Sequence, residues 1–473
     1  ISYSYFSQIL SEKYESNIFF YNPSPKSTKQ KIYNKINDFL NISNLKISKS
    51  LNSHGIITPK LQPKHLNEVV FKKILKKIKH KKDILEIKIF SIPIGDLIYD
   101  EYLIKYQKGT INIKDENFLS FLKYSVDLFL YWYEYLDKNK IKAMICSHTT
   151  YFIGLPARIA VFKLIPCYCV SNSFAYYLTK KEFRQYSNFK ILPKIFQKIP
   201  KKISNKYVKI AKKNIIKFFL EKEKFETKKF FKKKSRPKKS FNVLIAAHCF
   251  TDAVHIHGKD RIFVDHFDWI EFLGKASLKT NYNWFIKLHP SQYDNNYDRM
   301  NDLIRNYPKL RLLPKQSKNI NLLDKIDCVL TVHGTVAREY PMFNIPVLNA
   351  SHDGPYVGYD FSYSFKSLRK YEEAIINLRK FKVKKRELNK IFEQYSVKYL
   401  LHYHFMGFNK HMHLTKKFKS GRLRQSNFIM KWNNQIDLNK HNRHTLDVKK
   451  FINSKKHIFY GDNTSEESKY LNI

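Results

Sequence analysis

Short apolar runs of strand length recur along the chain and alternate with stretches of helical spacing. Two of these runs end alike. Trp284-Phe285-Ile286-Lys287-Leu288 leads into His289-Pro290, and Cys328-Val329-Leu330-Thr331-Val332 leads into His333-Gly334-Thr335. The second continues into Val336-Ala337-Arg338-Glu339-Tyr340, which can start a helix. Ligands of parallel α/β sheets bind at the carboxyl ends of strands. Two histidines delivered to that edge predict a site for an anionic group. Thr335 and the free N–H groups of the following helix turn would complete it.

The surrounding pattern predicts alternating strands and helices. Strands are expected over 242–247, 284–288, 310–313, 328–332 and 346–349, with helices over 267–278, 298–305, 320–325 and 336–343. Nearer the N-terminus, strands are expected over 17–21 and 86–90, and an aromatic helix over 118–136. Residues 143–147, 151–163 and 165–170 read as strand, helix and strand, a unit that implies parallel pairing. Residues 203–231 are lysine-dense with apolar positions at partly helical spacing. They read either as a basic amphipathic helix for a membrane surface or as a solvated connector. The expected organisation is therefore an N-terminal α/β domain over 1–196, a basic connector over 197–240, a second α/β domain over 241–406, and a basic, weakly periodic extension over 407–473.

Composition fits a globular chain. It has 473 residues, too many for one ordinary core, and is 43% hydrophobic and 15% aromatic. Lysine and arginine number 87 against 40 acidic residues, a formal charge of +47. Lys, Ile, Asn, Tyr and Phe are all favoured by AT-rich codons, so part of the excess has a mutational origin. The remaining positive field favours anionic partners such as nucleotides, acidic glycans and anionic lipid surfaces. No RNP, KH or zinc-finger pattern supports nucleic acid as the partner. Five dispersed cysteines without CxxC pairing read as buried, reduced thiols, which fits a cytoplasmic protein. No apolar run reaches the ~18 residues of a membrane span, and no signal peptide is evident. The chain opens on Ile1 and not on Met, so a preceding segment stays open.

Further candidates lie in the expected loops. His248 and Asp252 follow the first strand of the second domain, where a ligand loop belongs. His255, His257, Asp265 and His266 follow closely, but their spacing matches no common zinc pattern and no metal is expected. Gly354, in the turn Asp353-Gly354-Pro355-Tyr356, follows the last strand. His148 ends the strand 143–147 and is the first candidate for a general base, since a histidine accepts a proton near neutral pH. Asp96 and Asp100 are alternative bases, each needing burial or a neighbouring charge to serve. Each histidine also reads as a strand-end cap, and Glu339 as a solvated helix residue.

Lys287-Leu288-His289-Pro290 resembles the His-Pro motif of bacterial capsule-polysaccharide glycosyltransferases, a group that includes Kdo transferases and polysialyltransferases. His333-Gly334-Thr335 sits where that group carries its Ser/Thr motif. Asn344-Ile345-Pro346-Val347 resembles the closing G-x-P-V of GT-B donor domains, with Asn344 in place of Gly. Residues 92–100 and Ser147-His148 resemble N-terminal segments of surface-carbohydrate biosynthesis proteins. The likeness covers roughly residues 85–365. It implies a GT-B fold, with two Rossmann-like, doubly wound domains facing a cleft. It also implies metal-independent transfer of a sugar from a nucleotide-sugar, a CMP-sugar by preference, to a capsule or lipopolysaccharide glycan. The donor would be held by His289, Pro290, His333, Gly334 and Thr335, with Glu339 on a ribose hydroxyl. No cofactor beyond the donor substrate is implied. The acceptor would be an oligosaccharide or lipid-linked glycan at the inner face of a membrane. A CDP-polyol phosphotransferase of the teichoic-acid type, and a non-catalytic basic protein binding RNA or glycan, are the alternatives.

Overall fold

The computed structural model describes residues 2–24, 53–62, 64–170, 175–184, 192–223, 240–258, 261–289, 296–315, 317–397 and 442–457. The chain divides into two compact units. Ile1–Ile98, Ile113–Gln185 and Leu401–Ile473 form the first, and Tyr99–Asn112 with Tyr186–Leu400 the second.

In the first unit, β1 (Phe19–Tyr21) pairs in parallel with β2 (Gly55–Ile57). The strand expected over 86–90 is not formed as such. Lys81–Glu86 is a 3-10 helix, and β3 (Lys88–Ile89) turns back antiparallel onto β4 (Ile92–Pro93). The turn residues Phe90 and Ser91 take φ of 48° and 66°. Such a two-residue reversal normally advertises itself by Gly or Asn, and here it does not. The aromatic helix runs Glu116–Lys138, with Asp115 accepting from the Asn117 amide at its start. It buries Phe118, Phe121, Leu122, Val126, Phe129 and Trp132 at helical spacing. The strand–helix–strand unit is β5 (Met144–Cys146), the helix Leu155–Phe162, and β6 (Cys167–Val170), with β5 and β6 parallel. An unforeseen β7 (Ala175–Leu178) adds antiparallel to β6. Among the described residues this unit thus holds a three-stranded mixed sheet rather than a doubly wound one. Within the expected C-terminal extension, Asn442–Ser454 is a helix whose Val448, Phe451 and Ile452 are buried. Their i, i+3, i+4 spacing is a short core stripe inside a polar stretch.

The second unit is built on a six-stranded, wholly parallel sheet. Its strands are β8 (Asn242–Ala246), β9 (Asn283–Lys287), β10 (Leu310–Leu312), β11 (Cys328–Thr331), β12 (Val347–Asn349) and β13 (Tyr363–Ser364). Their order is β10-β9-β8-β11-β12-β13. Relative to chain order this is 3-2-1-4-5-6, the Rossmann arrangement. The first five strands fall where the pattern predicts, within a residue or two, and β13 is additional. The legibility has a cause. Val243, Leu244 and Ile245 of β8 and Cys328, Val329 and Leu330 of β11 are all fully buried. Strands covered on both faces read as unbroken apolar runs. One face packs Ile245, Trp284, Ile286 and Leu330 against Trp269 and Leu273 of the helix His266–Leu278 and against Tyr371 and Ile375 of the helix Leu368–Ile376. The helix expected over 336–343 is an α-turn, Val336–Glu339, that tightens into a 3-10 turn, Tyr340–Phe343. Asn344 ends it at φ 58°, ψ 33°. That left-handed cap explains why Gly is usual there and why Asn serves.

The lysine-dense stretch folds as the helix Lys201–Glu223 and counts with the second unit. It packs on the helix Asn389–Tyr395, with Ala211 and Ile215 buried and Ile210 and Phe218 exposed. The remainder of the expected connector, up to residue 239, lies outside the described residues. No described helix is long and apolar enough to cross a membrane. The five cysteines are buried and none is in a disulfide.

The centre of the sheet sets the stability of this unit. Leu330→Ala, at a position with no exposure, is expected to cost about 2–5 kcal/mol. Urea denaturation followed by tryptophan fluorescence would measure it, and a loss below about 1 kcal/mol would show that the sheet centre collapses around the deletion.

Candidate functional site

The strand order reverses between β8 and β11, and in open α/β sheets the crevice at that switch point is where ligands bind. β8 is followed by His248 and β11 by His333. The register Val243↔Cys328 and Ile245↔Leu330 brings the two carboxyl ends level. The rings of His248 and His333 stand 4.5 Å apart. His289, two residues past the end of β9, joins them. His248, Asp252, His289 and His333, with Cys249, Ala253 and Ile256, line a cavity of about 110 Å³. Of the residues expected to form the anion site, His289 and His333 line this pocket, together with the loop candidates His248 and Asp252, whereas Thr335 is not part of its lining. Pro290 lies outside the described residues.

Two more histidines come from the loop after β8 and the helix that follows it. The His266 ring stacks on His248 at 4.7 Å, and His257 meets His333 edge-on at 4.6 Å. Burial drives the pKa of His248 down to about 3, helped by the positive charge of Arg261. His266 and His333 are pushed well down for the same reasons, desolvation first and neighbouring cationic groups second. All three are neutral imidazoles at pH 7.

Their hydrogen bonds assign the protons. The backbone N–H of His333 donates to His248 Nε2 at 3.3 Å, and the Thr331 hydroxyl lies 3.2 Å from the same nitrogen. Thr331 Oγ1 in turn accepts from the Gly334 amide. Nε2 of His248 is thus an acceptor, and its proton sits on Nδ1. Arg261 Nη2 donates to His266 Nδ1 at 3.3 Å, which leaves the His266 proton on Nε2. Two glycines make the packing possible. A Cβ on Gly334 would stand 2.8 Å from Thr331 Oγ1, and one on Gly354 would stand 2.8 Å from His333 Cβ.

His248, His266 and His333 each offer a ring nitrogen within 4.8 Å of the others, a spacing that invites a metal ion. The groups behind the rings argue otherwise. A metal-bound histidine donates its second N–H to a carboxylate or carbonyl. Here the second nitrogens face donors instead, a backbone amide for His248 and a guanidinium for His266. The donor set suits a ligand rich in acceptor oxygens better than a cation.

The loop carrying these groups is braced by a segment far away in sequence. Asp100 Oδ1 lies 2.6 Å from His255 Nδ1, its Oδ2 accepts from the His255 backbone, and His255 Nε2 donates to the Val264 carbonyl at 2.9 Å. The carboxylate–imidazole contact can only close with a proton between the two. Asp265 caps the helix His266–Leu278 through the Asp268 amide and accepts from the hydroxyls of Tyr99 and Thr110, both at 2.6 Å. Burial, then the Asp265 charge, holds the Tyr99 phenol well above its usual range.

The other expected residues are placed differently. Asp96 is buried in the first unit, where Arg158 grips it through two nitrogens at 2.8 and 3.1 Å and Arg184 adds a contact at 3.1 Å. Asp100 braces His255 rather than facing the pocket cluster. His148 is exposed just beyond β5 in the first unit. Thr335 is exposed at the start of the short helix, and its side chain makes no capping bond. Glu339 takes a 3.4 Å bond from Asn319. Sequence reasoning missed Arg261 altogether. Its one signal is chemical, an arginine where the chain otherwise prefers lysine.

No family model matches the chain, and no curated protein matches it in sequence. Among solved structures, Thermosulfurimonas dismutans KpsC, a beta Kdo 2,4 transferase, is similar at 11% identity and a TM-score of 0.30, over 53% of this chain and 78% of that one. The UDP-GlcNAc 2-epimerase from Neisseria meningitidis bound to UDP-GlcNAc is similar at 13% identity and a TM-score of 0.23, over 74% and 90%. Likeness at this level carries no argument about chemistry, which rests on the residues above.

Two measurements probe these assignments. Asp96→Asn is expected to lower stability by about 3–5 kcal/mol, as removing one partner of a buried pair does. Loss of activity with stability intact would instead put Asp96 in the chemistry. Histidines held neutral below the ordinary value of 6.5 bind fewer protons folded than unfolded, so stability is complete above pH ~6.5 and drains away as pH falls towards 3. The slope is at most about 1.4 kcal/mol per pH unit for each histidine. Denaturant titrations between pH 7.5 and 4.5 should show His248→Gln with a shallower slope than the native chain. Identical slopes would mean that His248 protonates freely when folded.

Proposed function

We propose that the chain is a glycosyltransferase and that the switch-point pocket of the second unit receives the phosphate end of a nucleotide-sugar. The observation that carries this reading is the convergence of His248, His289 and His333 from the ends of three parallel strands onto one cavity. It is supported by the resemblance of the Lys287–Pro290 and His333–Thr335 segments to capsule glycosyltransferase motifs.

The chemistry follows from what glycosyl transfer needs. Charge grows on the departing nucleotide phosphate, and preorganised N–H donors at that point lower the barrier. The neutral imidazole of His248, with its proton on Nδ1, offers such a donor, and no metal is required in this scheme. The acceptor hydroxyl must lose its proton to a base. We assign that role to His148, since Asp96 and Asp100 are tied to buried partners. The GT-B arrangement of two halves facing a cleft belongs to the same proposal. So do a CMP-linked donor, a capsule or lipopolysaccharide acceptor, and attachment to an anionic membrane surface through lysines of Lys201–Glu223.

Calorimetry with CMP, CDP, UDP and GDP tests the reading. One nucleotide is expected to bind, and His289→Ala combined with His333→Ala should weaken it by at least about tenfold, the loss of one or two neutral hydrogen bonds. Failure of the folded chain to bind any of the four would sink the transferase reading. Salt-sensitive RNA binding in its place would favour the non-catalytic alternative.

A further inference from the structure

Arg261 carries unmet donors in the loop after β8. Its Nε and Nη1 are sealed from solvent and have no hydrogen-bond partner, while Nη2 reaches His266. His333 Nδ1 and Asp353 Oδ2 are sealed and unpartnered in the same way. These atoms belong to one neighbourhood. The backbone at Arg261 forms an isolated antiparallel bridge with Ser351, the Ser351 hydroxyl bonds to Asp353 Oδ1, and Gly354 closes on His333. Asp353, Asp100 and Asp265 favour the charged guanidinium, against a burial term that lowers its pKa. Native proteins rarely leave buried donors and acceptors unmet, because each loses its hydration without a replacement bond. Here two guanidinium donors, one carboxylate oxygen and one imidazole nitrogen are unmet within a single loop cluster.

We infer that Arg261, with His333 beside it, forms an oxyanion subsite that takes a phosphate or a sugar carboxylate of the donor, while Asp353 accepts from an adjacent hydroxyl. The ligand's identity rests on the donor reading above, but the subsite's location does not. Guanidinium donors match planar and tetrahedral oxyanions, and a nearby carboxylate selects a ligand that also offers hydroxyls. A sugar phosphate or a sugar acid has both. A polyanion such as RNA gains little from a cation ringed by carboxylates.

The test titrates the full chain with inorganic pyrophosphate, glucuronate and zinc ion, for the native protein, Arg261→Lys, Arg261→Gln and Asp353→Asn, each checked for folding by circular dichroism. One oxyanion is expected to bind and to lose about ten- to a hundredfold in Arg261→Gln, with a smaller loss in Arg261→Lys, which keeps the charge alone. Whichever of the two binds names the group. Asp353→Asn should strengthen pyrophosphate binding, so a folding defect in the arginine variants does not remove the test. Equal binding by Arg261→Gln, or no oxyanion bound by the native chain, would overturn the subsite and leave buried water as the partner of these donors. Zinc bound in preference would overturn it in favour of a three-histidine metal centre. The nucleotide titration separates the two proposals. A nucleotide held equally well by Arg261→Gln removes the subsite and spares the donor reading. Pyrophosphate held through Arg261 with no nucleotide bound does the reverse.

Discussion

Parallel pairing of β8 with β11 is the constraint on which the second unit rests. The two strands are not neighbours in sequence, and their adjacency makes the strand order reverse. A reversal leaves the connections on either side running away from each other, which opens a crevice above the strand ends. Whatever side chains follow those strands must fill it. Here they are histidines, and burial keeps them neutral. One interaction between backbones thus decides where the imidazoles gather.

The central strands of this unit were legible because both their faces are covered, and the histidines at their ends were legible because the strands were. What stayed hidden was long-range. Nothing local to Asp96 announces Arg158, and nothing local to Asp100 announces His255; these pairs join residues 62 and 155 positions apart. Asp96 and Asp100 look alike in sequence, yet each has its own buried partner. Arg261 escaped for a related reason. It sits in a loop without periodicity, and its bridge to Ser351 and its bond to His266 bring it to the strand ends. The shortest elements failed for want of signal. β13 has two residues, and the Phe90-Ser91 turn lacks the residues that such turns favour.

The site also depends on what is absent from it. Gly334 and Gly354 let two loops close on His333 and Thr331 at distances where a methyl group would collide. Arg261 has the opposite character. Carboxylates that do not themselves bond to its guanidinium offset part of the pKa lowering that burial imposes, and its Nε and Nη1 stay unpartnered. Tight packing at the glycines and unmet polar groups at Arg261, His333 and Asp353 thus coexist in one cluster.

The short segment Tyr99–Asn112 gives this unit a history as well as a shape. It supplies Tyr99, Asp100 and Thr110 to the loop beneath Arg261, although the rest of the unit begins only at Tyr186. Closing so long a loop is entropically costly and slow. During synthesis the segment emerges well before the sheet that it will brace. The fragment 186–400 made alone would carry all six strands of the sheet and yet lack the struts for His255 and Asp265. The loop of the pocket therefore depends on contacts closed across a long excursion of the chain.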